Sequence, residues 1–371
     1  MRILLLGEYS NVHATLAKGL RFLGHEVTVV SNGDFWKNYP RDIDVSRKPG
    51  KFGGIMLSAK IASLLPKLRG YDIVQLINPM FFELKAERIL PIYRFLRRHN
   101  RRVVLGAFGM DYYWVHENIT RMPLRYSDFN IGRSLRTDAV AMKDRNDWID
   151  TPKGILNQVI AKDCDGIIAG LFEYYVTYHP VFPDKTVFIP FPIKCNQDAI
   201  DEHVIDRHDK VRLFIGISKQ RSQYKGTDIM LAAARNVKER HPDGIEIKIA
   251  DGIPFAEYVE MMRGSDAICD QLYSYTPAMN ALEAMSHGII VIGGGEPENY
   301  EILHEDKLRP IINVTPDEGN VESAIEDLVS HPERMCELKL QSMEYVKKYH
   351  DFIRVAQQYE AFYHTVLENK H

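Results

Sequence analysis

Short apolar runs rich in β-branched residues alternate with helix-period patterns along most of this chain. That alternation restricts it to the α/β class with parallel sheets. In the first half the expected strands are Arg2–Gly7, His25–Ser31, Asp72–Asn78, Arg102–Ala107, Gly166–Gly170 and Thr186–Pro190. Between the first two, Val12, Leu16, Leu20 and Leu23 recur at helical spacing and Gly24 closes the helix. The alternation stops at Phe191-Pro192-Ile193, and residues 194–210 are polar and aperiodic, as an interdomain linker is. It restarts with Arg212–Ser218, Glu246–Ala250, Ala267–Leu272, Ile289–Gly293 and Pro310–Val314. Helices are expected at Thr227–Arg240, Phe255–Met262 and Pro277–His287, and beyond Asp317 the chain reads as helix. The expected architecture is two Rossmann-like, doubly wound domains, residues 1–194 and 195–351, facing across a cleft. A last helix, 352–371, is expected to pack back on the first domain. Strand C-terminal ends would then line the cleft, where ligands of such folds bind.

Composition narrows the class further. A hydrophobic content of 45% and a charged content of 26% describe a globular chain able to bury a large core. Cys164, Cys195, Cys269 and Cys336 form no CxxC and have no histidine at ligand spacing. They read as reduced, buried thiols of a cytoplasmic protein, not a zinc or disulfide framework. The apolar run Ile3–Leu6 ends at Gly7-Glu8, so it reads as a strand and not a leader. Nothing approaches the roughly 18 apolar residues of a membrane span. The net charge of −3 conceals a split: residues 1–150 carry 24 Lys and Arg against 15 Asp and Glu, the remainder 23 against 35. A basic first half and an acidic second half imply different partners for the two.

Two segments carry chemistry. In the first, Gly216-Ile217-Ser218 runs into a polar loop with Lys219, Arg221 and Lys225 before Gly226 opens a helix. Cations on such a loop suit a diphosphate; the alternative is a solvated loop with ordinary lysines. In the second, Tyr275-Thr276-Pro277 leads into a helix whose first amides, at Ala278, Met279 and Asn280, attract phosphate together with the helix dipole. Glu283 lies further along, where its carboxylate can accept bonds from ribose hydroxyls. Gly288 ends the helix, and the strand after it breaks into Gly293-Gly294-Gly295-Glu296-Pro297-Glu298. Read without a ligand, the same segment is a buried helix with a capping acid.

Together, Lys225-Gly226-Thr227-Asp228, Glu283-Ala284-Met285-Ser286-His287-Gly288 and Gly294-Gly295-Glu296-Pro297-Glu298 resemble the C-terminal domain of glycosyltransferase family 4. Those are retaining enzymes of the GT-B fold that use nucleotide sugars. The resemblance covers about residues 211–350 and is looser in the first half, through Gly24-His25-Glu26-Val27 and Gly109-Met110-Asp111. It implies that Lys225 binds the donor diphosphate, with Lys219 or Arg221 as its basic partner. It makes Glu283 the second glutamate of an E-x7-E motif, and Gly252-Ile253-Pro254 the loop that meets the nucleobase through its backbone. It also implies a nucleoside diphosphate sugar as donor substrate, no resident cofactor, no catalytic metal, and a glycan or lipid-linked acceptor, as in cell-surface polysaccharide synthesis.

Two residues depart from the family pattern. Tyr275 stands where the first glutamate of E-x7-E belongs, and a phenol brings no negative charge to the donor sugar. Phe108 replaces the histidine of a His-Gly-x-Asp motif, leaving Asp111 and His13 as the polar candidates of the first half. These departures keep open a nucleotide-sugar-binding protein without transferase activity, as a partner subunit. Asp163-Cys164-Asp165 spells a D-x-D but lies at a helix end and reads as a chance match. The basic cluster Arg88, Arg94, Arg97, Arg98, Arg101 and Arg102, interleaved with apolar residues, suits an anionic membrane surface and a peripheral location on the inner membrane face. It equally fits a solvated helix face. No nucleic-acid-binding motif accompanies the charge. The stretch 111–150 is long and aperiodic inside an α/β domain, which marks it as functional, an acceptor lid in this reading.

Overall fold

The computed structural model describes residues 1–195, 210–217 and 222–369, which divide into two compact units. The first comprises Met1–Pro123, Lys143–Pro192 and the C-terminal stretch from Phe352. Its chain runs β1 (Arg2–Leu6), α1 (Val12–Phe22), β2 (Glu26–Ser31), β3 (Ile43–Asp44), α2 (Gly53–Leu64), β4 (Ile73–Leu76), α3 (Ala86–His99), β5 (Arg102–Ala107) and α4 (Tyr112–Thr120). A hairpin of β6 (Asn130–Ile131) and β7 (Ser134–Leu135) follows, and α5 (Ala139–Trp148) carries the chain on. The unit closes with α6 (Pro152–Asp163), β8 (Gly166–Ala169), α7 (Phe172–Tyr178) and β9 (Thr186–Phe188).

The sheet order is β3-β2-β1-β4-β5-β8-β9, parallel throughout. Ile3, Leu4, Leu5 and Leu6 are all fully buried, as a central strand covered on both faces requires. The strand order reverses between β1 and β4. The C-terminal helix, Phe352–Glu368, packs on α1: a Cβ at Gly19 would lie 2.4 Å from the Phe352 carbonyl oxygen. Its Tyr363 hydroxyl donates to the Gln75 amide oxygen on β4.

The second unit comprises Leu124–Met142 and Ile193–Asp351, so the β6–β7 hairpin folds with it. Its strands are β10 (Val211–Ile217), β11 (Ile245–Asp251), β12 (Ala267–Cys269), β13 (Ile290–Gly293) and β14 (Ile312–Asn313), ordered β11-β10-β12-β13-β14 and all parallel. Leu213, Ile215, Ala267, Ile290 and Ile292 meet Met230, Val237, Ile325 and Leu328 in one apolar core. Here the order reverses between β10 and β12, and that reversal fixes where a ligand crevice opens.

Each strand expected from an apolar run is present; most are shorter at one or both ends, β5 matches its expected bounds, β10 starts one residue earlier at Val211, and β11 extends one residue beyond the expected run at each end. Ser218 and most of the expected linker lie outside the described residues. The cysteines differ from expectation in burial: Cys164 and Cys269 are buried, whereas Cys195 and Cys336 are only half-buried. Among the described residues, no helix is long and apolar enough to cross a membrane.

Candidate functional site

In the second unit, the strand-order reversal brings the candidate residues to the C-terminal ends of β10 and β12. A short helix, Ser222–Lys225, ends at Gly226, whose φ of +72° turns the chain into the helix Thr227–Arg240. The Lys225 carbonyl accepts from Leu272 N–H at 2.9 Å, which ties this loop to the segment leaving β12. Asp270, one residue past β12, is buried, and the Lys225 charge acts on it. Burial pushes the Asp270 carboxyl up, while the Lys225 charge and a bond from Asn280 Nδ2 at 3.1 Å pull the other way. Asn280 in turn accepts from the Tyr258 hydroxyl at 3.0 Å.

Asn280 sits in the first turn of the helix Met279–Ser286, with Ala278 as its N-cap residue. The first helical amides have no intrahelical acceptor, and Asp270, bonded to Asn280 in that turn, also feels the Lys225 charge. Lys219 and Arg221 fall outside the described residues. Asp270 falls inside the strand expected at Ala267–Leu272, where an acid in an apolar run was a visible signal that sequence reasoning passed over.

Around this centre, Gly252 turns the chain at φ +66° with open space beside it, and Pro254 precedes the helix Phe255–Arg263. Glu283 is half-exposed; its carboxylate stands 3.3 Å from His287 Nε2 and 3.9 Å from the Arg263 guanidinium. Thr276 is buried, and its carbonyl accepts from the Ser274 hydroxyl at 2.7 Å. Gly294 admits that turn, since a Cβ there would lie 2.3 Å from the Ser274 carbonyl oxygen. Gly294→Ala is therefore expected to lower stability by about 1–3 kcal/mol through overpacking. The urea midpoint reads this directly, and an unchanged midpoint would refute the close approach.

The hairpin segment lies against these loops. Asn130 fixes its turn by donating to the carbonyls of Leu124 and Gly132. Arg125 donates its backbone N–H to the Tyr275 hydroxyl oxygen at 2.6 Å and lays its guanidinium 4.9 Å from the centre of the Tyr275 ring. The same guanidinium donates to Glu296 at 2.7 Å and to both carboxylate oxygens of Glu298. The Tyr126 hydroxyl donates to Glu296. Tyr224, beside Lys225, donates to Asp128 at 2.7 Å, and Arg136 lies 3.7 Å over the Tyr273 ring. Tyr275 is 1% exposed, and burial pushes its phenol up to about 12.

The polar candidates of the first unit are both internal. His13 is fully buried; Nδ1 is 2.9 Å from the Gly7 carbonyl and Nε2 is 3.1 Å from Gln75 Nε2. Its ring therefore donates at Nδ1 and accepts at Nε2, and burial pulls its pKa down to about 3. Asp111 is the N-cap of α4, accepting from Trp114 N–H at 2.9 Å and from the Tyr178 hydroxyl at 2.7 Å. Burial pushes its carboxyl up to about 7. Nearby, the buried Glu8 carboxylate accepts from the His13 and Ala14 amides, and burial pushes it up to about 8.

Asp163 and Asp165 bind Tyr93, Arg97 and the Val103 amide. Of the basic cluster, Arg97, Arg101 and Arg102 are engaged by Asp165, Asp72 and the Val366 carbonyl, so it is a sparser surface than its sequence implies. Among the described residues, no three His, Cys, Asp or Glu side chains converge as a metal site needs.

By sequence, no family model and no curated protein matches this chain. By structure, sucrose-phosphate synthase from Thermosynechococcus elongatus superposes with a TM-score of 0.65 at 14% identity, over 99% of this chain and 99% of its own. HepE of Anabaena, in complex with UDP-glucose, gives 0.63 at 13% identity over 98% and 100%. The fold is GT-B. A third neighbour bears the name of a different activity: UDP-GlcNAc 2-epimerase from Neisseria meningitidis, bound to UDP-GlcNAc, gives 0.54 at 12% identity over 100% of both chains.

Proposed function

We propose that this protein is a glycosyltransferase that moves a sugar from a nucleoside diphosphate to a hydroxyl of a glycan or lipid-linked acceptor, with retention. The observation that carries this reading is that Asp270, at the strand-order reversal, is bonded by Asn280 in the first turn of the Met279–Ser286 helix and feels the charge of Lys225. Departure of a diphosphate develops negative charge there, and a lysine and helix amides stabilise it more in the transition state than in the ground state. Glu283 on the same helix is the group for ribose hydroxyls, and Gly252, with open space beside it, belongs to the base-contacting loop. Uridine is the base to test first, because HepE and the 2-epimerase are complexed with uridine nucleotides.

A lipid-linked acceptor and a membrane-facing surface fit the first unit. Phe52, Ile55 and Met56 are exposed on and before α2, and an apolar groove of about 480 Å³ runs between α2 and α3, flanked by Arg88. The second reading, nucleotide-sugar binding without transfer, is favoured by one feature, the buried and hydrogen-bonded Tyr275 at the place of a family carboxylate.

Calorimetric titration of UDP, GDP, ADP and dTDP into the wild type and Lys225→Ala tests the site. Submillimolar binding of one nucleotide is expected, weakened at least about 100-fold in the variant by loss of a charge-assisted contact. Binding retained by Lys225→Ala would remove Lys225 from the diphosphate site. Turnover of the matching nucleotide sugar then separates transfer from binding alone.

A further inference from the structure

Position 275 poses a charge problem. Resting on the transferase reading above, a donor sugar that loses its leaving group develops positive charge, and a carboxylate near it is worth much of the barrier. Tyr275 supplies none. Its hydroxyl is also bonded to Arg125 N–H, and its side chain is buried under the hairpin.

We infer that Glu296 and Glu298, held by Arg125 and Tyr126 of the β6–β7 hairpin segment, supply the negative charge that Tyr275 lacks, and that Arg125 and Tyr126 are positioning residues of the donor site. Three observations converge on this. Glu296 is joined to position 275 by its own backbone, its N–H donating to the Tyr275 carbonyl at 3.1 Å. Its carboxylate is almost wholly buried, so its field is poorly screened. Two carboxylates against one guanidinium leave a single net negative charge, which is the charge of the glutamate that the resembling family places at 275.

The hairpin contacts explain why such a cluster survives burial. A buried carboxylate without partners would protonate or destabilise the fold. Glu296 has one partner on each oxygen, Tyr126 on Oε1 and Arg125 on Oε2. Arg125 is itself fixed by the Glu298 fork and by the Tyr275 ring beneath it. This arrangement leaves lone pairs of Glu296 for a further donor, since a carboxylate offers about four acceptor sites. Asp128, through Tyr224, fastens the same hairpin beside Lys225, so the sugar end and the diphosphate end share one support.

The test uses the full chain with UDP and UDP-glucose as probes. Glu296→Gln keeps shape and removes charge. It is expected to leave UDP affinity within about twofold while lowering kcat for UDP-glucose turnover about 100-fold. Glu296→Asp should recover at least a tenth of the wild-type kcat, which a purely structural role would not predict. Arg125→Ala should lower kcat in the same sense. Turnover of Glu296→Gln within about threefold of wild type overturns the inference, as does an equal loss in Glu296→Asp.

If the wild type binds but turns nothing over, the ratio of UDP-glucose to UDP affinity decides. A ratio that falls in Glu296→Gln supports the charge at the sugar end, and an unchanged ratio overturns it. Failure of the wild type to bind UDP or any other nucleotide is a distinct result: it defeats the donor-site reading and this inference with it.

Discussion

Asp266→Ala is expected to destabilise the second unit by about 3–5 kcal/mol, the range for breaking a buried ion pair from one side. The Asp266 side chain is fully buried just before β12. Its Oδ2 accepts from the Arg212 backbone and guanidinium at 3.0 and 2.9 Å, and Oδ1 accepts from Lys339 at 2.8 Å. Lys339 is itself buried, so the substitution strands a charge with no water to receive it. These bonds hold its carboxyl well below the usual carboxylate range despite burial.

A depressed carboxyl pKa contributes stability that is whole above the unfolded value of about 3.9 and is lost as pH falls beneath it. The difference in urea stability between wild type and variant should therefore be constant from pH 8 to 5 and shrink below 4. Asp266 lies at the N-terminal edge of the sheet, away from the strand ends that carry Lys225 and Asp270. Nucleotide affinity of the folded variant should equal that of wild type. A loss below about 1 kcal/mol would show that Lys339 finds another partner.

That edge was not visible in the sequence, and the reason is physical. Apolar runs announce strands because both faces of a parallel strand are buried, so β1, β4, β10 and β13 were legible from composition alone. The loop with Lys225 and the Met279–Ser286 helix were legible because glycine and a turn bracket them. By contrast, the Asp266–Lys339 pair spans 73 residues of chain, and the Arg125–Glu298 bond spans 173. Neither has a local signal.

The stretch 111–150 was conspicuous as a long interruption, yet nothing in it indicated that Leu124–Met142 folds with the second unit. His13 shows the opposite failure. A histidine on the first strand-to-helix connection has the sequence position of a site residue, whereas its burial and its two bonds are set by Gly7, Gln75 and Phe108.

Acidification should act strongly on His13. Its folded pKa, near 3, lies below the unfolded value of about 6.5. Stability from the neutral ring is therefore fully present above pH 6.5 and is lost as pH falls toward 3, on the order of 5 kcal/mol in all. Glu8 and Asp111 run the other way. Their folded carboxyl values are raised, so each favours the fold as pH drops through about 8 and about 7 respectively. The wild-type profile sums these effects, and only a comparison with His13→Gln isolates the histidine. Glutamine retains a donor and an acceptor but cannot be protonated.

His13→Gln should be less stable than wild type at pH 7.5, and the gap should close or reverse by pH 4. The chemistry follows from the same geometry. A ring that stays neutral, with Nδ1 donating to Gly7 and Nε2 accepting from Gln75, has no proton to exchange with a substrate near neutrality. The pH dependence of kcat/KM in the folded variant should then match that of wild type. An NMR titration of the ring placing its pKa between 6 and 7 would refute the burial argument and return His13 to the list of acid–base candidates.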